Sequence, residues 1–231
     1  MPLVCLHGAG RLRLSATHRA LAGQYRLIAL ELPGFGASHA NASPRAVAGF
    51  MAGALKALAV DRCALMGHGI GADIALWMAI DQPAIATTLI LVSPTAIRPP
   101  ASGIGGSLPR NIPAINPAHI WFGDPVAPGV QAGGGDGNLH DYAPRNPELE
   151  MAMGSISVPA LALFGTRSAV VSTDAARHYN ILMPKCFTTM VYDAGQDMDF
   201  DRPDAVTSVV KNFLQHGESF IVNRDNAIIN P

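Results

Sequence analysis

A chain of 231 residues with 49% hydrophobic and only 14% charged residues is long enough for one domain with a substantial core, and too apolar to stay disordered. Its formal net charge of −1, without any extended Lys/Arg cluster, excludes the electrostatic footprint that nucleic acid or an anionic membrane requires. No apolar stretch approaches the roughly 20 residues of a membrane span, and Met1 leads straight into an apolar run with no basic segment ahead of it, so the expectation is a cytoplasmic protein whose partner is a small molecule.

Pro2 to His7 is a short apolar run closed by Gly8-Ala9-Gly10, the pattern of a buried strand ending in a turn. Arg11 to Gly23 has room for a short helix. Tyr25 to Leu32 reads as a second strand, stopped by Pro33-Gly34-Phe35-Gly36. Ser43-Pro44 opens a helix with Pro at its first position, and Val47, Phe50, Met51, Leu55 and Leu58 keep helical spacing. Arg62 to Met66 is a third strand, Gly67 to Gly71 a glycine-rich turn, Ala72 to Ile80 a helix, and Leu89 to Val92 a fourth strand ending at Ser93-Pro94. Strand, turn and helix alternate throughout this half, which predicts a parallel sheet wrapped by helices.

The next stretch is different. Residues 97–150 are rich in Gly and Pro and weakly periodic, and are expected to form a lid or cap inserted into the core rather than a domain of their own. Order resumes in a strand at Ala160 to Phe164, a helix from Asp174 to Leu182, a strand from Thr188 to Tyr192 and a helix from Pro203 to Leu214. The core is thus split between 1–96 and 151–216, with a tail at 217–231 that has no readable pattern. Cys5, Cys63 and Cys186 form no disulfide framework or zinc spacing, and Cys5 and Cys63 fall in or beside apolar runs as core residues do. No cofactor or metal is expected.

Four segments in order resemble the α/β-hydrolase superfamily, especially its small, capped bacterial members. Leu6-His7-Gly8-Ala9-Gly10 resembles the His-Gly turn that supplies one oxyanion-hole N–H. Glu31-Leu32-Pro33-Gly34-Phe35-Gly36-Ala37-Ser38 is similar to the family's Pro-Gly turn. Gly67-His68-Gly69-Ile70-Gly71 stands in the place of the G-x-S-x-G elbow, and Gly195 to Pro203 resembles the stretch that carries the catalytic His. The resemblance implies a three-layer α/β sandwich with a mostly parallel sheet and a ligand site at its C-terminal edge. Family members carry two further strands ahead of the His-Gly strand. Their apparent absence here makes Tyr25 to Leu32 an edge strand, expected to pair with another copy or with the tail.

The resemblance also locates three departures. The nucleophile position is Gly69, which has no side chain to attack with. The acid position, reached through Gly165-Thr166-Arg167-Ser168, is Ser168, and the base position is Gln196, whose amide takes no proton near neutral pH. Ordinary serine hydrolysis is therefore not expected. The turn amides at Ile70 and at Ala9 or Gly10 could still bind a carbonyl or carboxylate, and Trp121 and Phe122 could line an apolar pocket under the lid. His68 is the candidate for proton transfer, with His7 beside it as a structural residue. Asp73 suits the start of its helix, and Asp197, Asp199 and Asp201 read as a solvated or Arg202-paired loop rather than a cation site. These features support a pseudo-hydrolase binding an acyl, lactone or ketone-type ligand. Alternatives are a lyase, isomerase or decarboxylase using the oxyanion hole, and a non-catalytic interaction subunit.

Overall fold

The computed structural model describes residues 1–9, 12–36, 42–97, 146–168, 170–217 and 219. Within them the chain runs β1 (Pro2–Leu6), α1 (Ala16–Ala22), β2 (Arg26–Leu30), α2 (Pro44–Ala57), β3 (Cys63–His68), α3 (Ile70–Asp81), β4 (Ala86–Val92), α4 (Pro147–Met153), β5 (Ala160–Gly165), α5 (Ala175–Leu182), β6 (Cys186–Val191), α6 (Met198–Asp201) and α7 (Pro203–His216). The strands form one sheet in the order β2-β1-β3-β4-β5-β6, and every pairing is parallel. The described sheet is thus wholly parallel where the sequence implied mostly parallel, and β2 stands at one of its edges.

Strand alternation builds two cores. In β1, Val4 and Leu6 face one side while Leu3 and Cys5 face the other; in β3, Leu65 opposes Ala64 and Met66; in β5, Ala160, Ala162 and Phe164 oppose Leu161 and Leu163. The first side packs against α2, α3, α4 and α5, the second against α1, α6 and α7, giving three layers. Because both faces are covered, the central strands are continuous apolar runs, as parallel strands must be. The helix α3 is buried on nearly every side, from Gly71 through Ala79, since the sheet, α2 and α4 all pack on it.

Local signals mark the element starts. Ser43 caps α2 by accepting the Ala46 N–H at 3.3 Å, with Pro44 at the first helical position. Asn146 caps α4 in the same way, with Pro147 following. That helix begins inside the span assigned to the lid, and its Leu149 and Met153 are fully buried in the core. Two bounds shift at the β3–α3 junction. The strand β3 runs on through Gly67 to His68, and α3 starts at Ile70, so the turn between them narrows to Gly69 alone.

All three cysteines are free and buried, as expected for Cys5 and Cys63. Burial raises each thiol: Cys5 to about 12, helped by the nearby Asp199 carboxylate, Cys63 to about 11 and Cys186 to about 12. They are core atoms at neutral pH, not nucleophiles. Among the described residues no helix is long and apolar enough to cross a membrane.

Candidate functional site

The site lies at the C-terminal ends of β1, β3, β4, β5 and β6, where five loops meet. Its centre is the β3–α3 turn. Gly69 has φ 54° and ψ −118°, a conformation that L side chains rarely adopt. Close packing on both sides holds it there. A Cβ on Gly67 would run into the backbone of Gly71 and Ala72, and a Cβ on Gly71 would lie 2.5 Å from the His7 carbonyl oxygen. Those two glycines let α3 sit directly on the end of β1. At Gly69 the contacts are looser: among the described residues beyond its chain neighbours, a Cβ there would meet only Gln196 Nε2 and Gly8 Cα, each at 3.8 Å.

The His-Gly turn after β1 closes one side. His7 is buried; its Nε2 accepts the Leu32 N–H at 2.9 Å, so Nδ1 carries the proton and donates to the Gly8 carbonyl at 2.8 Å. Phe35 packs edge-on to the same ring, with centroids 4.9 Å apart. With both nitrogens engaged, His7 is a structural tie between two of the turns that the sequence singled out. The N–H groups of Ala9 and Ile70 have no acceptor among the described residues. Gly10, Trp121, Phe122, most of the lid and most of the tail lie outside the described residues.

The three positions identified in sequence come together. The Ser168 hydroxyl donates to Gln196 Oε1 at 2.9 Å, and Gln196 Nε2 is the atom nearest the side-chain space of Gly69. Ser93 holds Gln196 from below. Its hydroxyl donates to the Gln196 carbonyl at 2.8 Å, and its own carbonyl accepts from Gln196 Nε2 at 3.2 Å. Ser93 is fully buried with φ 46°, a strained backbone at the strand end. In the sequence its only signal is the Ser-Pro that stops β4.

His68 also serves Gln196. Its Nε2 donates to the Gln196 carbonyl at 2.9 Å and lies 3.6 Å from Asp197 Oδ1, while Nδ1 faces Gly8, 2.6 Å from where a Cβ would stand. The side chain is one-fifth exposed, with 21% of its area accessible. Burial pushes the Asp197 carboxyl up from its ordinary range, against the pull of His68 and Arg13.

Asp199 departs from the solvated or Arg202-paired loop expected of the acidic cluster. Asp199 is 3% exposed, and its Oδ1 has no hydrogen-bond partner among the described residues. Asp199 Oδ2 lies 3.7 Å from His18 Nδ1, but that nitrogen accepts from the Ser15 N–H at 3.2 Å and the Ser15 hydroxyl at 2.8 Å. The imidazole is therefore neutral at pH 7, and burial lowers its pKa despite the nearby carboxylate. Asp201 accepts the Gly195 N–H at 2.8 Å, and Arg202 reaches back to the Tyr192 carbonyl at 2.9 Å. The short helix α6 that carries these residues was not read from sequence. No group of three or more potential metal ligands occurs among the described residues.

Asp73 does more than favour a helix dipole. It is buried, and its carboxylate accepts from the Thr95 N–H at 3.1 Å, the Thr95 hydroxyl at 2.7 Å and the Ala96 N–H at 2.9 Å. It pins the segment after β4 to the first turn of α3 and so keeps Ser93 in place beside Gln196.

Residues 3–209 match the alpha/beta hydrolase family. No curated protein matches the chain. Among solved structures, the chain is similar to a serine-to-alanine mutant of a meta-cleavage product hydrolase from Pseudomonas fluorescens, complexed with acetates (TM-score 0.73, 17% identity, 93% of this chain and 90% of that one). It is also similar to a malate-bound thermophilic esterase from Thermogutta terrifontis (TM-score 0.71, 22% identity, 93% and 89%) and to a carboxylesterase from Bacillus subtilis (TM-score 0.66, 20% identity, 92% and 83%). At these identities the likeness is one of fold.

Proposed function

The chain belongs to the alpha/beta hydrolase family, and we propose that it is a member that binds a small acyl, lactone or ketone-type ligand at the C-terminal edge of its sheet without serine hydrolysis. The observation that carries this reading is the row Ser168–Gln196–Gly69. It has the connectivity of an acid–base–nucleophile relay, with the Ser168 hydroxyl on Gln196 Oε1 and Gln196 Nε2 turned toward Gly69. Yet no member can act in that role. Glycine supplies no nucleophile, an amide supplies no base near neutral pH, and a neutral serine supplies no negative charge to stabilise an imidazolium.

What remains suits binding. The elbow backbone keeps its φ of 54° at Gly69, and the Ile70 and Ala9 N–H groups are without intramolecular acceptors among the described residues. An amide at the start of a helix, as at Ile70, or in a turn beside it, as at Ala9, can receive a carbonyl or carboxylate oxygen. Two of the similar structures carry small carboxylates, acetates in one and malate in the other, in keeping with a small-molecule ligand here.

The test is hydrolysis of short-chain p-nitrophenyl esters by the purified protein at high concentration, against a heat-denatured control. The expected result is no turnover above the control. Turnover that disappears in His68→Ala would replace this reading with one in which His68 moves the proton, as in a lyase, isomerase or decarboxylase.

A further inference from the structure

We propose that the ligand is a carboxylate held by hydrogen-bond donors alone, with the side-chain amide of Gln196 as one of those donors. This rests on the binding reading above and specifies its chemistry.

Neighbours dictate which way the Gln196 amide faces. Ser168 Oγ accepts the Val170 N–H at 3.3 Å and the Val171 N–H at 3.1 Å, so its own proton goes to Gln196 Oε1 at 2.9 Å. Nε2 then faces the Ser93 carbonyl at 3.2 Å. Rotating the amide by half a turn would set Oε1 against that carbonyl, two acceptors facing each other. It would also leave the Ser168 proton pointing at an NH₂ group. Nε2 carries two protons, and the Ser93 carbonyl takes one. The other has no acceptor among the described residues, and its nitrogen lies 3.8 Å from the point where a Gly69 Cβ would be.

Two further donors adjoin that point. The Ile70 N–H follows Gly69 directly in the chain, at the first position of the 12-residue helix α3. The Ala9 N–H follows Gly8, whose Cα is also 3.8 Å from the point. Apart from Gly69's own chain neighbours, no other described heavy atom comes within 4 Å of it. Three N–H donors on three separate loops thus lie close to the side-chain position of Gly69, which no other described residue fills.

A carboxylate matches this set. It offers two oxygens with about four lone-pair positions and no proton of its own. N–H bonds to an ionised acceptor are roughly twice as strong as those between neutral groups. A ketone or ester carbonyl has one strong acceptor atom and leaves a donor unmet, while an alcohol brings a proton into a site made of donors. The dipole of α3 favours negative charge at its first turn. Burial, the largest cause, and the like charges of Asp199 and Asp201 push the nearby Asp197 carboxyl up and so disfavour its charged form, while His68 and Arg13 act the other way.

The experiment compares butyrate with its uncharged isostere 2-pentanone by amide NMR titration of the full chain, wild type and variants. Butyrate should shift the Ile70 amide and the Gln196 side-chain NH₂ resonances and bind about tenfold more tightly than 2-pentanone, as one net hydrogen bond to a charged group provides. Gln196→Leu, which removes the donor, and Gln196→Glu, which also adds a like charge, should each lose at least about that factor for butyrate. Thermal melts of the two variants establish that they fold. Butyrate binding no tighter than 2-pentanone, or unchanged in both variants, overturns the carboxylate assignment and leaves a carbonyl-binding site standing. If neither compound shifts any resonance at the β3–α3 turn, the carboxylate assignment and the binding reading fall together.

Discussion

Four glycines divide into three that make contact and one that leaves space. Gly67 and Gly71 are filled against backbone, Gly8 against the His68 ring, and Gly69 has only distant neighbours among the described residues. Gly71→Ala would push α3 away from the end of β1, since the new methyl meets the Leu6 and His7 carbonyls, and overpacking of that kind costs about 1–3 kcal/mol. Gly69→Ala meets no described atom beyond its chain neighbours closer than 3.8 Å and pays chiefly for its positive φ, about 1–2 kcal/mol. Urea denaturation of the two variants should rank Gly71→Ala as the more destabilised. The reverse order would mean that strain at the elbow outweighs packing beneath it.

Between elements, buried polar side chains do the joining. Asp73 binds α3 to the segment after β4 through three accepted hydrogen bonds, and that segment carries Ser93 to its contacts with Gln196. Asp73→Ala leaves two buried N–H groups and a hydroxyl without their acceptor, so we expect a loss of about 2–5 kcal/mol in a chemical denaturation curve. A loss below 1 kcal/mol, about one ordinary net hydrogen bond, would show that the clamp is not structural.

On the opposite face, His18 sits between Ser15 on its own helix and Asp199 on α6. Burial holds its folded pKa below the ordinary 6.5, with His68 and Arg19 lowering it further and Asp199 opposing them. The unfolded chain therefore takes up this proton at a higher pH than the folded one. The stability it governs is complete above about pH 6.5 and is lost as the pH falls toward the folded value. Urea midpoints at pH 7.5 and 5.5 should differ more for the wild type than for His18→Gln; equal differences would remove His18 from the account.

For the molecule as a whole, the frame and the chemistry are separable. The frame brings positions 69, 168 and 196 together, with Ser168 hydrogen-bonded to Gln196 and Gln196 Nε2 beside the side-chain position of Gly69. Gly69→Ser, Ser168→Asp and Gln196→His combined should therefore gain p-nitrophenyl ester hydrolysis, on the order of 10³-fold above the wild-type background. Variants with only two of the three should stay near that background, because triad members act as a unit. A triple variant that folds but stays inactive would mean that the row is not held closely enough for proton transfer.

How far the sequence reaches follows from the range of each force. Apolar runs, turn glycines and the Ser43-Pro44 start are local, and they determined the strand–helix alternation, the parallel sheet and the family resemblance. The identities of Gly69, Ser168 and Gln196 were likewise plain in the chain, because each motif marks its own position. Elements without a local period were not legible. The four-residue α6 is too short to show one, and the seven-residue α4 owes its place to burial of Leu149 and Met153 in a core assembled by distant strands. The hydrogen-bond partners also lay beyond reach. Ser93 and Gln196 are 103 residues apart, and His68 and Gln196 are 128 apart. His7 meets the Leu32 N–H across 25 residues. The sequence by itself determined which residues stand at positions 69, 168 and 196. Only the tertiary structure decided which way the Gln196 amide faces, since that depends on the protons and lone pairs of Ser168 and Ser93, carried there by two other strands.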